Sequence, residues 1–509
     1  MKLYQLGAKE IAEGIRQGKF TSLEVVNSFI ERIESKNEQY NSIVYPLFER
    51  ARMEAKKYDE MAERGHFLGP LHGVPITIKE SIDVKETPST WGIEGREELL
   101  EEDDPSVKRL RDHGAIILAK TNAMQLLLGC ETFNPVYGRT MNPWDTRRTA
   151  GGSSGGEGSA IASMFSPLGI GTDIGGSVRT PAHFCGIHAL KPTPGVISQR
   201  APKQILHIRK EAGEMSSIGP LARSVDDLTL AFEVLSGKIM EIKNLEGMRI
   251  GIWESDHILP TSPAIQRAIH HASKVLIENG AEIIPYEFPK IKESMQTFYG
   301  MMCADDGRGL KETIGNSKQE YPIKNLIRVQ KIGKVRRKVL IYLLKLMQQQ
   351  TISTVVFPFI GKKTEEEYEE LIVKRKMYRD FVLEEIKDKK LDAVLCPVFP
   401  TPALYHNGSR NLTYEGAYNS LINYLGFPSG AFSYTLVRSE EEFLKRNEKD
   451  LVHRAAIDTE IGSTGLPVAL QIVSAPHKEN VILSIMTQLE KSSTKREDYP
   501  PNKLSVMFH

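Results

Sequence analysis

Gly151-Gly-Ser-Ser-Gly-Gly-Glu-Gly-Ser159 is followed, ten residues on, by Gly169-Ile-Gly-Thr-Asp173-Ile-Gly-Gly-Ser177-Val-Arg179-Thr-Pro181-Ala182. A glycine and serine mixture alone reads as a flexible linker, but this run continues into a patterned segment instead of a polar spacer. A phosphate cradle needs Lys and then Ser or Thr after its last glycine, whereas Gly158 is followed by Ser159 and Ala160. Gly151-Gly-Ser153-Ser-Gly155 satisfies the G-x-S-x-G nucleophile elbow, a short pattern that also matches by accident. Around Ser177 the glycines at 175 and 176 let a substrate carbonyl approach the backbone. The N–H groups of Gly175, Gly176 and Ser177 are expected to point into a cavity and form an oxyanion hole. No nearby histidine offers itself as a base, since His183 and His188 follow a helix start and read as packing or surface residues.

Outward from this segment the chain alternates strand and helix signals. Gly73-Val-Pro-Ile-Thr-Ile-Lys79 reads as a short strand, residues 105–120 as a helix and then a buried strand, Met248–Trp253 as a strand, and 263–279 as a helix. Leu391–Cys396 and Pro467–Val473 read as late strands. Residues 5–65 read as helices, with Thr21-Ser-Leu-Glu24 as a capping box. No fixed-period repeat is visible, which excludes a solenoid. The alternation predicts an α/β protein whose sheet is covered by helices on both faces.

At 509 residues the chain suits three small domains or one large α/β unit. Its 66 Lys plus Arg against 65 Asp plus Glu leave a formal charge of +1, so global basicity cannot drive nucleic-acid binding. Cys130, Cys185, Cys303 and Cys396 lie far apart without C-x-x-C spacing, so free thiols in a reducing compartment are expected, with no zinc site. Charged residues stand where a signal peptide needs an apolar run, and no stretch reaches the roughly 18 to 20 apolar residues of a spanning helix. A cytoplasmic location is therefore expected.

The span 151–182 resembles the signature of the amidase signature family, and Gly73–Ser81 resembles that family's lysine segment. Within the family the chain is most similar to fatty-acid amide hydrolases, through Gly151–Gly158, Ser166-Pro-Leu-Gly169, Phe184-Cys-Gly-Ile187 and Tyr424-Leu-Gly-Phe-Pro428. A counterpart of the membrane-spanning helix of the animal integral-membrane members is not expected here. The resemblance implies a single large α/β domain with a twisted mixed central sheet, comprising residues 66–509, with helices of residues 1–65 packed on it. It also implies a Ser-cis-Ser-Lys triad of Ser177, Ser153 and Lys79, with a cis peptide between Gly152 and Ser153. The family sets the bridging serine 24 residues before the nucleophile, which selects Ser153 over Ser154. Leu127 then lies beside the acyl chain, and Ile174, Gly175, Gly176 and Ser177 supply the oxyanion donors. No metal or organic cofactor is expected.

Lysine serves as a base only when neutral, a form favoured by burial. Asp173 and Arg179 are expected to orient the glycine loop. The implied reaction is hydrolysis of carboxylic amides, long-chain N-acyl amides above all, through an acyl-enzyme. A glutaminase subunit of an aminoacyl-tRNA amidotransferase shares the signature but needs polar groups for its substrate, and residues 124–130 are too apolar for that. An α/β-hydrolase would use Ser153 or Ser154 with a late histidine such as His453. A non-catalytic acyl-lipid binding protein would not need Lys79, Ser153 and Ser177 together.

Residues 323–360 contain no acidic residue. In helical projection Lys324, Arg328, Lys331, Lys334, Lys338 and Lys345 lie on one arc, with Leu326, Val329, Ile332, Val339, Leu340, Leu343, Leu344 and Met347 largely opposite. Gly333 is expected to split the segment into two helices. Its position resembles the amphipathic membrane cap of fatty-acid amide hydrolases, so peripheral contact with an anionic membrane surface is expected. Family members of this type are often homodimers, which makes a second copy a further expected partner.

Overall fold

A computed structural model describes residues 2–200 and 209–507. Eleven strands form one mixed sheet. In chain order they are β1 Ile43–Pro46, β2 Pro75–Lys79, β3 Ile116–Thr121, β4 Leu168–Asp173, β5 His188–Lys191 and β6 Ser217–Ala222, then β7 Arg249–Ile252, β8 Glu282–Pro285, β9 Ala393–Pro397, β10 Ser429–Leu436 and β11 Pro467–Val473. Their spatial order is β1-β3-β2-β4-β6-β5-β10-β11-β9-β7-β8. Strands β2, β3, β5, β6, β9 and β11 are buried at every position, as expected of a sheet with helices on both faces. The result is a single large α/β domain.

The N-terminal stretch departs from an all-helical reading. Helices Ala8–Arg16, Ser22–Tyr40 and Phe48–Glu63 are present, and the Thr21–Glu24 capping box closes at both bonds. Between the last two, Asn41 turns left-handed (φ 49°) and Ile43–Pro46 joins the sheet edge antiparallel to β3. Four residues are too few for a period-2 pattern to stand out, and pairing with β3 decides the conformation.

Three parallel neighbours, β3, β2 and β4, end on the same side of the sheet. Lys79 closes β2, Thr121 closes β3 opposite it, and Asp173 closes β4. The glycine-rich segments follow from this frame: residues 151–154 lead into helix Gly155–Ala162 ahead of β4, and 174–178 join β4 to helix Arg179–Cys185. The crevice beyond the carboxyl ends of adjacent parallel strands is where α/β sheets place their sites.

Candidate active site

Lys79 is fully buried at the end of β2, and its Nζ lies 2.7 Å from Ser153 Oγ and 2.8 Å from Thr172 Oγ1. Burial lowers its pKa to about 7, against the opposing pull of Asp173, Glu157 and Glu80. The lysine is thereby available as a neutral base near neutral pH. The peptide between Gly152 and Ser153 is cis. The Ser177 carbonyl accepts the Ser154 N–H at 3.1 Å, which sets residue 177 against the 153–154 backbone. Gly152 is required by close approach, since a Cβ there would lie 2.2 Å from the Glu131 carbonyl oxygen.

The loop after β4 is held by a fully buried ion pair. Arg179 donates to both oxygens of Asp173, at 3.0 and 2.8 Å, and to Gln471 Oε1 at 2.6 Å. Asp173 in turn accepts the N–H groups of Gly176 (2.9 Å) and Val178 (3.1 Å). Burial pushes the Asp173 carboxyl up, but Arg179 outweighs it and holds the group well below the usual carboxylate range. Gly176 adopts φ +117°, and a Cβ there would also meet the Asn419 side chain at 2.6 Å, so only glycine fits. These bonds correct one expectation: the Gly176 N–H is engaged by Asp173, which leaves Ile174, Gly175 and Ser177 as the candidate oxyanion donors.

Two residues of the site were not singled out from the sequence. Thr172 supplies the second oxygen at Lys79 Nζ, and Glu157 is buried between the Thr77 and Thr121 hydroxyls, 2.8 Å from each. Burial raises the Glu157 carboxyl to about 8, with Thr121, Thr77 and Lys79 pulling the other way. Only the alternation of Thr77 with Lys79 on β2 hinted at a shared face.

Of the apolar stretch beside the site, Met124 and Leu126 are buried while Leu127 and Leu128 remain partly accessible. Leu126, Leu127 and Leu128 belong to a second apolar cluster that includes Trp91, Leu310, Ile323 and Ile327. Leu126 (φ 53°) and Leu127 (φ 59°) are both left-handed, a conformation that costs a bulky residue about 1 kcal/mol or more and persists where neighbours impose it.

The histidines lie elsewhere. His453 Nε2 contacts the Ile258 carbonyl at 2.9 Å, and the His183 ring bridges the Thr401 carbonyl and the Ala469 N–H. His183 and His188 are buried, so they are packing residues and not surface ones. Among the described residues, no group of three or more His, Cys, Asp or Glu could hold a metal ion, and the four cysteines are buried and unpaired.

The Amidase family model matches residues 24–483 of this chain. The chain belongs to the amidase signature family. It is similar to fatty-acid amide hydrolase 1 of Sus scrofa, 30% identical over 515 residues, covering 96% of this chain and 86% of that protein. It is also similar to a glutamyl-tRNA(Gln) amidotransferase subunit of Fusobacterium nucleatum subsp. nucleatum, 28% identical over 520 residues, covering 96% and 97% of the two chains. A solved fatty acid amide hydrolase superposes with a TM-score of 0.80 at 23% identity, covering 97% of this chain and 86% of that one. This amidase is an amide-hydrolysing enzyme whose relatives differ in substrate.

The basic segment of the amidase forms helices Tyr321–Gln330 and Lys334–Leu346, broken at Gly333. The first buries Ile323 and Ile327, and its Leu326 and Val329 pack on the core, so these two leave the exposed apolar set expected from the sequence. The second, with its cap residue Met347, exposes Val335, Val339, Tyr342, Leu343, Leu346 and Met347, each by 48% to 78%. Leu340 and Leu344 are half-buried, and Lys334, Lys338 and Lys345 border the exposed stripe at helical spacing. Among the described residues, no helix is long and apolar enough to cross a membrane.

Proposed function

We propose that this amidase hydrolyses long-chain N-acyl amides to free acid and amine, with Ser177 as nucleophile, Ser153 as proton bridge and Lys79 as base. The observation that carries the chemistry is the 2.7 Å contact between the buried Lys79 and Ser153, beside the Ser177 loop. Neutral Lys79 takes the Ser153 proton while Ser153 takes that of Ser177, whose Oγ attacks the acyl carbon. The N–H groups of Ile174, Gly175 and Ser177 meet the developing oxyanion, each donor contributing about 3 kcal/mol. Ser153 then returns a proton to the departing amine, and water hydrolyses the acyl-enzyme. Because the base works only when neutral, kcat/KM should fall tenfold per pH unit below about pH 7, the value to which burial lowers Lys79. A pH-rate profile that stays flat down to pH 5 would exclude Lys79 as that base.

The apolar wall at Leu127 and Leu128 supports the substrate class. The similarity to the amidotransferase protein supports a second reading, a glutaminase, although glutamine would set its charged ends against an apolar wall at 124–128. A hydrolysis panel separates the two: oleamide should exceed acetamide and glutamine in kcat/KM by at least roughly a hundredfold, since each buried methylene contributes about 0.8 kcal/mol. Equal or better turnover of glutamine would overturn the lipid reading.

The same reading treats residues 323–360 as a cap that lies on a bilayer. An exposed apolar stripe bordered by lysines fits the headgroup plane of an anionic membrane, with about 1 kcal/mol per basic residue near the surface. Anionic vesicles should co-sediment the protein at low salt, and Leu343→Glu with Leu346→Glu should release it. Wild-type protein left in the supernatant would end the cap proposal and leave the triad untouched.

A further inference from the structure

Gln125 brings a carboxamide into the apolar wall and is itself fully buried. Its Nε2 donates to the Gly92 carbonyl at 3.1 Å and to the Lys318 carbonyl at 2.8 Å, and its Oε1 accepts the Glu320 N–H at 2.9 Å. Two of these three bonds reach the segment that leads into helix Tyr321–Gln330. On its other side Gln125 opens the turn in which Leu126 and Leu127 are left-handed. The turn is further tied by Leu126 N–H to the Trp91 carbonyl at 2.9 Å, and Ile323 and Ile327 belong to the same apolar cluster as Leu126. A second tie runs in parallel: the Tyr321 hydroxyl contacts Glu131 at 3.2 Å, and the Glu131 peptide packs on Gly152. The cap's lead-in and the wall beside the nucleophile are therefore joined by partly buried hydrogen bonds, with Gln125 at the junction.

We infer that Gln125 is a positioning residue that sets acyl-chain selectivity, by tying residues 318–320 to the left-handed turn that holds Leu127 against the acyl chain. The inference rests on the reading of Leu127 as part of the acyl wall. Gln125 touches no reacting atom. Its loss leaves a backbone N–H and two carbonyls without their partner and frees the turn to relax toward ordinary φ values. Short amides do not reach that wall, so the effect is confined to long acyl chains.

Gln125→Met keeps the length and the apolar fit and removes all three bonds. With a series of saturated N-acyl amides, the kcat/KM ratio of long over short chains should drop roughly tenfold, mainly through KM of the long substrate. Turnover of the short amide and labelling of Ser177 by a small fluorophosphonate should stay within about twofold. Because three backbone partners are orphaned, a gentler variant accompanies it. Glu320→Pro removes the N–H that Gln125 accepts, leaves its other two bonds in place, and gives up only a 3.8 Å ion pair with the exposed Lys318; Glu320 already has the φ of −69° that proline requires. It should lower the same ratio roughly threefold to fivefold, as expected for one lost hydrogen bond. If either variant folds, labels normally and keeps the wild-type ratio, Gln125 does not set selectivity. A loss that strikes short and long amides equally would assign it a structural role only and overturn the inference. A wild type with no chain-length preference would instead overturn the lipid-amide reading, so the two failures are distinguishable.

Discussion

Replacing Ser177 by Ala is expected to abolish covalent labelling by a fluorophosphonate and to lower kcat/KM for amide hydrolysis by roughly four orders of magnitude or more. Lys79→Ala should fall nearly as far, because residues that act as one proton-transfer unit are not additive and losing any member disables the rest. Ser153→Ala tests the bridge: its hydroxyl is the atom within 2.7 Å of Lys79 Nζ, so the base loses its route to the nucleophile. The control is His453→Ala. That imidazole is tied to the Ile258 carbonyl on another part of the molecule, and its loss should leave turnover within about threefold. The opposite pattern, with His453→Ala inactive and Lys79→Ala active, would replace the proposed triad by a hydrolase of a different kind.

Arg179→Met is the substitution expected to destabilise the protein most. Both members of the Asp173–Arg179 pair are wholly inaccessible, and removing the guanidinium leaves a buried carboxylate with only N–H and amide donors. Breaking a buried pair from one side costs about 3–5 kcal/mol. The midpoint of urea unfolding should shift down accordingly, and activity should fall with it because Asp173 holds the Gly176 and Val178 N–H groups that shape the loop carrying Ser177. The double variant Arg179→Met with Asp173→Asn should be more stable than Arg179→Met alone, since no uncompensated charge is then buried. A double variant less stable than the single one would show that shape, not charge, governs this site.

Much of the fold was legible in residue order. Strand β11 spans the run read from the apolar pattern, and the strand ending at Lys79 and the helix Pro263–Glu278 lie within a residue or two of their expected limits. These signals are local, arising from side-chain period and from caps that bond within one turn. Strand Ile43–Pro46 escaped notice because its conformation comes from a neighbour 73 or more residues away in the chain, Pro46 pairing with Ala119. The basic segment illustrates the same divide. Its period marked two helices and a break at Gly333, but could not tell that Leu326 and Val329 face the core whereas Val335 and Leu346 face outward.

By itself, then, the sequence determined the alternation of strands and helices, the glycines where backbone must approach backbone, and the residue types from which an amide-cleaving site is built. Tertiary structure alone decided which of those groups meet. Parallel pairing of β2 and β4 brings Thr172 to Lys79, burial makes that lysine's neutral form accessible near pH 7, and Asp173 claims the Gly176 N–H that the glycine pattern had assigned to the oxyanion. Gln125 meets Glu320 across 195 residues. The reason is physical: a motif encodes what is near in the chain, whereas desolvation and hydrogen-bond partnership depend on what is near in space.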